Sequence, residues 1–471
     1  MTDRATLTTL YLDEVARSGV QASELLGSLP ESGLLDSLYH QRYLPRPVFL
    51  GHAEREQLHQ DIENLGAALL SLPGRLYGGD IAAFARALGM TDVQASAVLR
   101  GRRHPATRLT RADLYADQSG FRVLEFNIGS PVGGIDNAEM CRALLEHSLL
   151  AEFAGAHGLS YVDTMREQVE TILSETGAEP GSFPVVAVAD WPAHYPGFRP
   201  YLRKLAVRWR ELGLDAHPCH LGELEVRGGR VWLGGRPVDI IFRLFLIEHL
   251  LEPDGPALID PVLDAAARGE VAMFTPMDSE LFGSKGALAM LSDERNRHLF
   301  TAAEQASLDR VLPWTRMVRP GPVTLEDGRT VDLHDYALSH AGDLVLKPTL
   351  MGGGRGVVLG SDRHCGPEQW RGQFGKAIDE PYVIQRRVRP EPELFPGDSG
   401  DLVPWIVTWG VFTVAAGHGG VYTRAVTEAS QVTTINRHSG AYVGSGLCAG
   451  TACSPSAGSA RQDQARISPP R

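Results

Sequence analysis

Cysteine is scarce in this chain. Five cysteines occur among 471 residues, at positions 141, 219, 365, 448 and 453. Only Cys448 and Cys453 lie close together, and no histidine stands beside them. An odd number of scattered cysteines is the pattern of neither a zinc site nor a disulfide framework. We therefore expect a reduced, cytoplasmic protein.

Basic charge and long apolar runs are also lacking. The formal net charge is −12, whereas general binding to nucleic acid needs a basic surface that neutralises phosphates. The most apolar stretch, VDIIFRLFLIEHLL, contains four ionisable residues and is too polar to span a bilayer. The N-terminal MTDRATLTTLYLDEV has no basic segment followed by an apolar core, so it does not resemble a signal peptide. We expect no binding to nucleic acid or to a membrane.

The remaining composition is that of a globular protein of about three domains. Apolar residues at three- and four-residue spacing predict helices for 1–104, and two β runs with a following helix occupy 105–158. Helices and strands alternate over 159–276, which predicts an α/β unit with a largely parallel sheet. Helices, strands and a glycine-rich loop fill 277–444. Residues 445–471 are rich in Ser, Ala and Gly, and we predict a disordered tail.

The two β runs carry polar pairs at their ends. RLTRADLYAD and GFRVLEFNI are separated by a short glycine-containing turn, which predicts a hairpin. Residues two apart in a strand share a face, so Glu125 and Asn127 lie together, as do Arg111 and Asp113 on the partner strand. Neighbouring carboxylates repel, and Mg²⁺ prefers oxygen ligands. The pattern predicts a magnesium site at Asp113, Glu125 and Asn127.

Plainer interpretations of the hairpin remain open. Glu125 and Asn127 also fit an ordinary polar strand end that enters a turn. Arg111 and Asp113 also fit a surface ion pair worth well under about 1 kcal/mol. Asp117 and Asp136 are further carboxylates nearby that compete for the role of metal ligand.

A glycine-rich loop, LMGGGRG, lies between the strands DLVLKP and VVLG. The P-loop and Rossmann fingerprints require a helix after the glycines, so neither is present here. A loop between two strands instead predicts a flap whose N–H groups close over phosphates, with Lys347 just before it. Lys285 begins an amphipathic helix, where a cation is unfavourable unless it faces an anion. The alternatives are a surface hairpin and two solvated lysines.

Taken together and in order, these motifs resemble the ATP-grasp superfamily, in the circularly permuted form found in the synthetase domain of glutathionylspermidine synthases. The resemblance covers about residues 105–445. It rests on these segments: Arg111-Ala112-Asp113, Glu125-Phe126-Asn127, Gly283-Ser284-Lys285, Lys347-Pro348 with Gly352 to Gly356, Tyr382 to Gln385, and VYTRAV with Arg424. The cysteine-dependent amidase domain of the bifunctional relatives has no counterpart, because residues 1–100 contain no cysteine. Nothing therefore supports polyamine or glutathione as a substrate.

The resemblance implies a circularly permuted ATP-grasp fold. Its metal-binding half is 105–158, its nucleotide-binding half is 277–444, an α/β pre-ATP-grasp-like domain is inserted at 159–276, and a helical region precedes it. The resemblance also implies ATP and Mg²⁺. The metal ligands are Asp113, Glu125 and Asn127, and ATP is bound by Lys285, Lys347, Gly353, Gly354, Gly356, Gln385 and Arg424. Arg111 is implied as the catalytic residue that stabilises charge in the transition state.

The implied activity is an ATP-dependent carboxylate–amine ligase that forms an amide or peptide bond through an acyl phosphate. Its substrates are small molecules, namely a carboxylate such as an amino acid or peptide, and an amine. Three alternatives stay open: a phosphotransferase on the same fold, a nucleotide-binding module without turnover, and an unrelated α/β binding protein. Arg243, at the end of the strand VDIIFR, is either a carboxylate clamp or an arginine packed at the edge of the core.

Overall fold

Helices occupy most of the first hundred residues, and strands and helices mix afterwards. This computed structural model describes residues 3–100, 107–179, 181–362, 365–430, 432, 434–436 and 439–450. The α-helices are α1 (Arg4–Ser18), α2 (Ala22–Leu25), α3 (Gly33–Tyr39), α4 (His52–Tyr77), α5 (Ile81–Ala87), α6 (Asp92–Arg100), α7 (Asn137–Leu144), α8 (Ser148–His157), α9 (Thr164–Thr176), α10 (Tyr195–Glu211), α11 (Gly255–Arg268), α12 (Ser279–Phe282), α13 (Lys285–Ser292), α14 (Ala302–Val311), α15 (Leu333–Ser339) and α16 (Pro367–Asp379). Short 3-10 helices lie at Leu29–Glu31, Leu221–Glu223, Ile247–Leu251, Glu294–Leu299 and Ala341–Asp343.

The strands form several sheets, and the mixed α/β class predicted from the sequence is confirmed. The strands are β1 (Val48–Leu50), β2 (Thr110–Asp117), β3 (Gly120–Ile128), β4 (Leu159–Ser160), β5 (Val185–Asp190), β6 (Asp215–His220), β7 (Leu224–Arg227), β8 (Arg230–Leu233), β9 (Arg236–Val238), β10 (Ile240–Arg243), β11 (Ala272–Phe274), β12 (Thr315–Met317), β13 (Pro322–Thr324), β14 (Thr330–Asp332), β15 (Leu344–Pro348), β16 (Val358–Leu359), β17 (Tyr382–Arg386), β18 (Glu393–Pro396), β19 (Leu402–Val414), β20 (Gly417–Thr427) and β21 (Tyr442–Ala449). Among the helices described, none combines the length and the apolar character that crossing a bilayer requires.

The largest sheet has the order β1-β21-β20-β19-β2-β3, with β18 on β19 and β4 on β21. Its ladders are antiparallel except for β1, which runs parallel to β21. Helix α4 packs into the core beside this sheet, because its apolar residues recur at three- and four-residue spacing and face one way. The first hundred residues therefore contribute a strand, β1, as well as helices.

The disordered tail predicted from residue 445 is wrong for residues 445–449, which belong to β21 in the middle of the sheet. The glycines of β21 are required by close packing and do not indicate disorder. A Cβ on Gly446 would lie 2.7 Å from the Cβ of Val421, and one on Gly444 would lie 2.9 Å from the Oγ1 of Thr423. Cys448 is buried in the same strand. Residues 451–471 of the predicted tail lie outside the described residues.

The predicted hairpin of β2 and β3 is confirmed. Arg111 lies opposite Asn127, and Asp113 lies opposite Glu125. The register shifts immediately afterwards, because Leu114 pairs with Val123 and leaves Leu124 as the extra residue of a bulge. The hairpin thus places all four polar residues side by side.

The α/β region has a four-stranded sheet in the order β11-β10-β5-β6, and every pair in it is parallel. Strand β5 is almost wholly buried, as expected for a strand of a parallel sheet with both faces covered. The prediction of a largely parallel sheet in this region is confirmed. Residues 191–198 and 244–246 follow the carboxyl ends of β5 and β10.

A third sheet, in the order β12-β17-β15-β16, is antiparallel. The predicted glycine loop connects β15 to β16, with a strand on each side. Helix α13 begins at Lys285 after the N-cap Ser284, whose side chain accepts the N–H of Gly286. The backbone N–H of Lys285 donates to the carbonyl of Thr349 at 2.9 Å. This bond fixes the start of the helix against the end of β15.

Candidate functional site

A cleft of about 1350 Å³ lies between the third sheet and the largest sheet. All the residues that the sequence analysis assigned to the site, except Gly356, line this cleft. They are Arg111, Asp113, Glu125, Asn127, Lys285, Lys347, Gly353, Gly354, Gln385 and Arg424. The structure therefore brings together residues that are up to 313 positions apart in the chain, from Arg111 to Arg424. Their chemical roles stay predictions.

Asp113 is held between two arginines. Its Oδ1 accepts from Nε of Arg111 at 2.7 Å, and its Oδ2 accepts from Nη2 of Arg111 at 3.1 Å and from Nη2 of Arg424 at 2.7 Å. Burial would raise the pKa of Asp113, but the two guanidinium groups outweigh it and lower the pKa to about 2. Asp113 is therefore a carboxylate at neutral pH.

Arg111 is buried and its orientation is fixed. Besides its two bonds to Asp113, its Nη1 donates to the carbonyl of Gly133. The rings of Phe412 and Tyr422 lie nearby, each with its centroid 5.9 Å from the guanidinium carbon. Nε of Arg424 is also buried, and within the described parts of the chain it meets no acceptor. The two arginines place positive charge at the floor of the cleft.

Lys285 points from the start of α13 into the cleft. Its Nζ lies 3.1 Å from Oε1 of Glu125 and 2.9 Å from the carbonyl of Met351 in the glycine loop. The side chain is 7% exposed, although that of Glu125 is 25% exposed. A buried cation needs such partners. A ligand that engages Glu125 would release Lys285 to bind an anion.

Lys347 is buried at the end of β15. Its Nζ donates to Oε1 of Gln385 at 2.6 Å and to the carbonyl of Leu124 at 3.0 Å. That carbonyl belongs to the extra residue of the bulge in β3, so the ladder leaves it available. Burial, and then the charge of Lys285, lower the pKa of Lys347 to about 8 against the opposite effect of Glu125. Gln385 is oriented in turn, because its Nε2 donates to Thr315 at 3.0 Å.

The oxygen donors of the hairpin fit a divalent cation. Nδ2 of Asn127 donates to the carbonyl of Arg111 at 3.2 Å, so the amide oxygen is the free end, and no donor among the residues described reaches it. The arginines use three of the roughly four lone pairs of the Asp113 carboxylate, which leaves one. Glu125 contributes a partly exposed carboxylate. Three hard oxygen atoms therefore line one part of the cleft.

The glycine loop is held over the cleft from two sides. The carbonyl of Gly353 accepts from Nδ2 of Asn436 at 3.2 Å, and Arg355 forms an ion pair with Glu248 of the α/β region. Gly353 and Gly354 have φ of 66° and 77°, which only glycine adopts at little cost. Gly356 has φ of 69° and packs on Pro348, where a Cβ would lie 2.6 Å from Cγ. Gly356 thus shapes the loop without lining the cleft.

The competing carboxylates lie outside the cleft. Asp117 pairs with Arg122 at 3.5 Å near the hairpin turn. Asp136 is fully buried, and its carboxylate accepts from the hydroxyl of Tyr39 at 2.8 Å and from that of Tyr201 at 3.2 Å. Arg243 is also fully buried and donates to Thr275, Phe245, Ser279 and Glu280. These bonds leave Arg243 no free donor for a substrate carboxylate, so the arginine belongs to the core.

Asp136 makes the stability of the fold depend on pH. Burial raises its pKa to about 6, although the hydroxyl of Tyr39 acts in the opposite direction. The folded state therefore binds this proton more tightly than the unfolded state, so the contribution of Asp136 to stability decreases as the pH rises from about 4 to 6. We expect Asp136→Asn to abolish this pH-dependent contribution to the free energy of unfolding. Between pH 4 and pH 7, urea unfolding should show the free energy of unfolding of the variant rising by roughly 2 kcal/mol relative to that of the wild type. Parallel pH profiles of the two proteins would contradict this prediction.

The cleft has two ends that differ in character. At one end, Gln385 and the residues that follow it face Ile406 and Val426 of the largest sheet. At the other end lie Pro131 and a group from the α/β region, namely His194, Gly197, Phe198 and Leu246. The sequence analysis missed this second group. Ligands of α/β proteins bind beyond the carboxyl ends of the strands, and the segments after β5 and β10 occupy that position.

Comparison with known proteins identifies the fold. No family model matches the chain, and no curated protein does. Among solved structures, a candidate gamma-glutamylcysteine synthetase from Methylobacillus flagellatus has a TM-score of 0.39 and 11% identity over 78% of this chain and 84% of that chain, which is too distant to carry an argument. A glutathione synthetase-like effector from Globodera pallida, in its apo form, has a TM-score of 0.54 and 12% identity over 95% of this chain and 98% of that chain. This likeness shows that the protein has a fold like that of the glutathione synthetase-like effector.

Proposed function

We propose that this protein is an ATP-dependent ligase that joins a carboxylate to an amine and releases ADP and phosphate. One observation carries the proposal: two lysines, two arginines and three oxygen donors converge in one cleft beneath a glycine loop. The name of the Globodera pallida protein, a glutathione synthetase-like effector, supports the same class of reaction. The substrates would be small molecules, because the cleft has a volume of about 1350 Å³.

Different residues of the cleft would bind different parts of ATP. Lys285 and Lys347 would bind its phosphates, and the glycine loop would exclude water above them. Gln385 would contact the base at the end of the cleft that Ile406 and Val426 line. Arg424, with its Nε unpaired in the part of the chain that is described, would bind a phosphate oxygen.

Asp113, Glu125 and Asn127 would hold Mg²⁺, which neutralises charge on the phosphates when it is bound. The bonds from Arg111 and Arg424 keep Asp113 ionised and fix its carboxylate. Arg111 would stabilise the charge that develops on the transferred phosphoryl group, because its guanidinium is already oriented before substrate arrives. Preorganised charge of this kind supplies much of the rate in phosphoryl transfer.

The reaction proceeds in two steps. An oxygen of the substrate carboxylate forms a bond to the γ-phosphorus while the bond from that phosphorus to the β–γ bridging oxygen breaks, and ADP leaves with that bond's electron pair. The nitrogen of the amine then attacks the carbonyl carbon of the acyl phosphate. The bond from this carbon to the phosphate oxygen breaks, phosphate leaves, and the nitrogen loses a proton to give the amide.

We also propose that the fold is the circularly permuted form of the ATP-grasp. The hairpin with Arg111 and Asp113 precedes the strand with Lys347 in the chain, which is the order of the permuted form. In this assignment, 105–158 is the metal-binding half, 159–276 is the inserted domain and 277–444 is the nucleotide-binding half. Strands β18, β19 and β20 of the last segment join the sheet of the metal-binding hairpin. Strand β21 extends the metal-binding sheet beyond residue 444, to Ala449.

A screen for ADP release tests the proposed function. Amino acids and small amines would be supplied in pairs with ATP and Mg²⁺, and the products would be identified by mass spectrometry. We expect ADP to form only when both a carboxylate and an amine are present, with an equal amount of amide. Lys347→Met serves as the inactive control, because it removes a phosphate-binding cation. ADP together with a phosphorylated product and no amide would identify a phosphotransferase and overturn the ligase assignment.

A further inference from the structure

We infer that the carboxylate substrate is an amino acid with an aliphatic side chain, which binds in a side pocket at the far end of the cleft. The inference rests on the proposed function, since it names the substrate class of the same site. The side pocket has a volume of about 100 Å³. It shares Asn127, Pro131 and Leu246 with the main cleft and lies next to it.

The walls of the side pocket are mostly apolar. They come from the end of β3, the loop after it, the segment after β10, α12 with the turn that follows it, and the segment after β15. The apolar residues are Phe126, Ile128, Pro131, Val132, Leu246 and Leu350. A recess with mostly apolar walls favours an apolar group of a ligand. The volume suits a branched aliphatic side chain.

The polar groups of the side pocket are already engaged. Glu280 pairs with Arg243, and its carboxylate oxygens each accept the N–H of Ile247 at 3.0 Å. The hydroxyl of Ser284 donates to the carbonyl of Thr349 at 3.1 Å and accepts the N–H of Gly286 at 3.1 Å. No lysine, arginine or histidine is among the described residues that line this pocket. An acidic side chain in this pocket would thus meet no cationic partner, which is unfavourable.

Two cations that line the main cleft are also paired. Arg355 of the glycine loop forms an ion pair with Glu248, and Arg111 is bonded to Asp113. His194 is exposed at the far end of the cleft but does not line the side pocket. A substrate with several carboxylates, such as a γ-glutamyl dipeptide, would find few free cations here.

The side pocket lies where it can position a carboxylate for reaction. Asn127 lines both the pocket and the main cleft, beside the other oxygen donors of the hairpin. Nη1 of Arg111 donates to the carbonyl of Gly133, next to Val132 in the wall of the pocket. A side chain that fills the pocket therefore brings the attached α-carboxylate close to Arg111 and Asn127, where the phosphoryl group must be received. This position favours the carboxylate donor over the amine.

Calorimetric titration tests the inference. L-leucine, L-alanine and L-glutamate would be titrated separately into the full-length protein with Mg²⁺ and a non-hydrolysable ATP analogue. We expect leucine to bind at least about tenfold more tightly than alanine, because each buried methylene adds affinity, and we expect glutamate to bind more weakly than alanine. Tighter binding of glutamate than of leucine would overturn the inference. So would the absence of binding by all three.

Two variants at Leu246 sharpen the test. Leu246→Trp fills the mouth of the pocket and should weaken the binding of leucine at least about tenfold, whereas Leu246→Ala should improve the binding of L-phenylalanine relative to leucine. Leu251→Trp is the matched control, because Leu251 ends the short 3-10 helix whose N-cap residue is Leu246, and it is 57% exposed. Equal leucine affinity in Leu246→Trp and in the control would overturn the inference.

The outcomes distinguish a failure of the side-pocket inference from a failure of the proposed function. Leucine that binds as expected, without ADP formation in any pair of substrates with ATP, would leave the pocket in place and reject the ligase. ADP and amide formed from an acidic carboxylate substrate, with no binding of leucine, would keep the ligase and reject the pocket.

Discussion

Asp113→Asn is expected to lower the free energy of unfolding by about 3–5 kcal/mol, which is the usual effect of removing one partner from a buried ion pair. The carboxylate of Asp113 accepts three hydrogen bonds from Arg111 and Arg424, and the side chain is 6% exposed. An asparagine amide keeps one oxygen and replaces the other by a donor. Two buried guanidinium groups would then lose their counter-charge, and one of them would face an N–H group.

Urea unfolding of the wild type and the variant at pH 7 measures this effect. Asp117→Asn is the matched control, because Asp117 lies on the same strand and pairs with Arg122 at 3.5 Å, with 24% of its side chain exposed. A partly exposed pair of this kind contributes about 1 kcal/mol or less. If the free energy of unfolding fell by the same amount in both variants, the ion pairs of Asp113 with the two arginines would not stabilise the fold as predicted.

Glu125→Gln is expected to remove the dependence of nucleotide binding on Mg²⁺ and to lower the rate of ADP formation about a hundredfold or more. The variant keeps the size of the side chain and removes the charge of a carboxylate that lies opposite Asp113. It also frees Lys285, which now lies 3.1 Å from Glu125. Binding of ATP without metal should therefore persist through the lysines, while the contribution of the metal disappears.

Thermal unfolding with ATP, with and without Mg²⁺, measures the first part of this prediction. A ligand at a hundred times its dissociation constant stabilises a protein by about 2.7 kcal/mol, so a metal-dependent rise in the melting temperature should be visible for the wild type. Glu270→Gln is the control, since Glu270 pairs with Arg268 on the surface at 2.7 Å, outside the residues that line the cleft. A Mg²⁺-dependent rise in Glu125→Gln equal to that of the wild type would place the metal elsewhere.

Several features of this protein could be predicted from short stretches of the chain. The alternation of residues in β2 and β3 predicted that Glu125 shares a face with Asn127 and Arg111 shares a face with Asp113. The hairpin forms and places the two pairs opposite each other. The apolar strand before Lys347 and the glycines after it predicted a loop between two strands, which the structure has. These predictions hold because side-chain direction in a strand, and the φ angles open to glycine, depend on neighbours in sequence.

The disordered tail predicted from residue 445 shows that composition alone can give a wrong prediction. Residues 445–449 begin a stretch rich in Ser, Ala and Gly that suggests disorder, yet they belong to the strand between β1 and β20. Gly444 and Gly446 are small because Thr423 and Val421 approach them closely. The partner strand β1 lies almost 400 residues earlier in the chain. A pattern read within one segment contains no information about a partner at that distance.

The residue types, their order and the hairpin register were therefore encoded locally, whereas the environment of each group arose from folding. Arg424 reaches Asp113 because β19 lies between β20 and β2. Lys347 meets a free carbonyl because β3 has a bulge at Leu124. The side pocket beside Asn127 exists because segments after β3, β10 and β15 converge there. Sheet order, ladder irregularities and packing between distant segments are properties of the whole chain, and they decide which charges are paired and which remain free to bind a ligand.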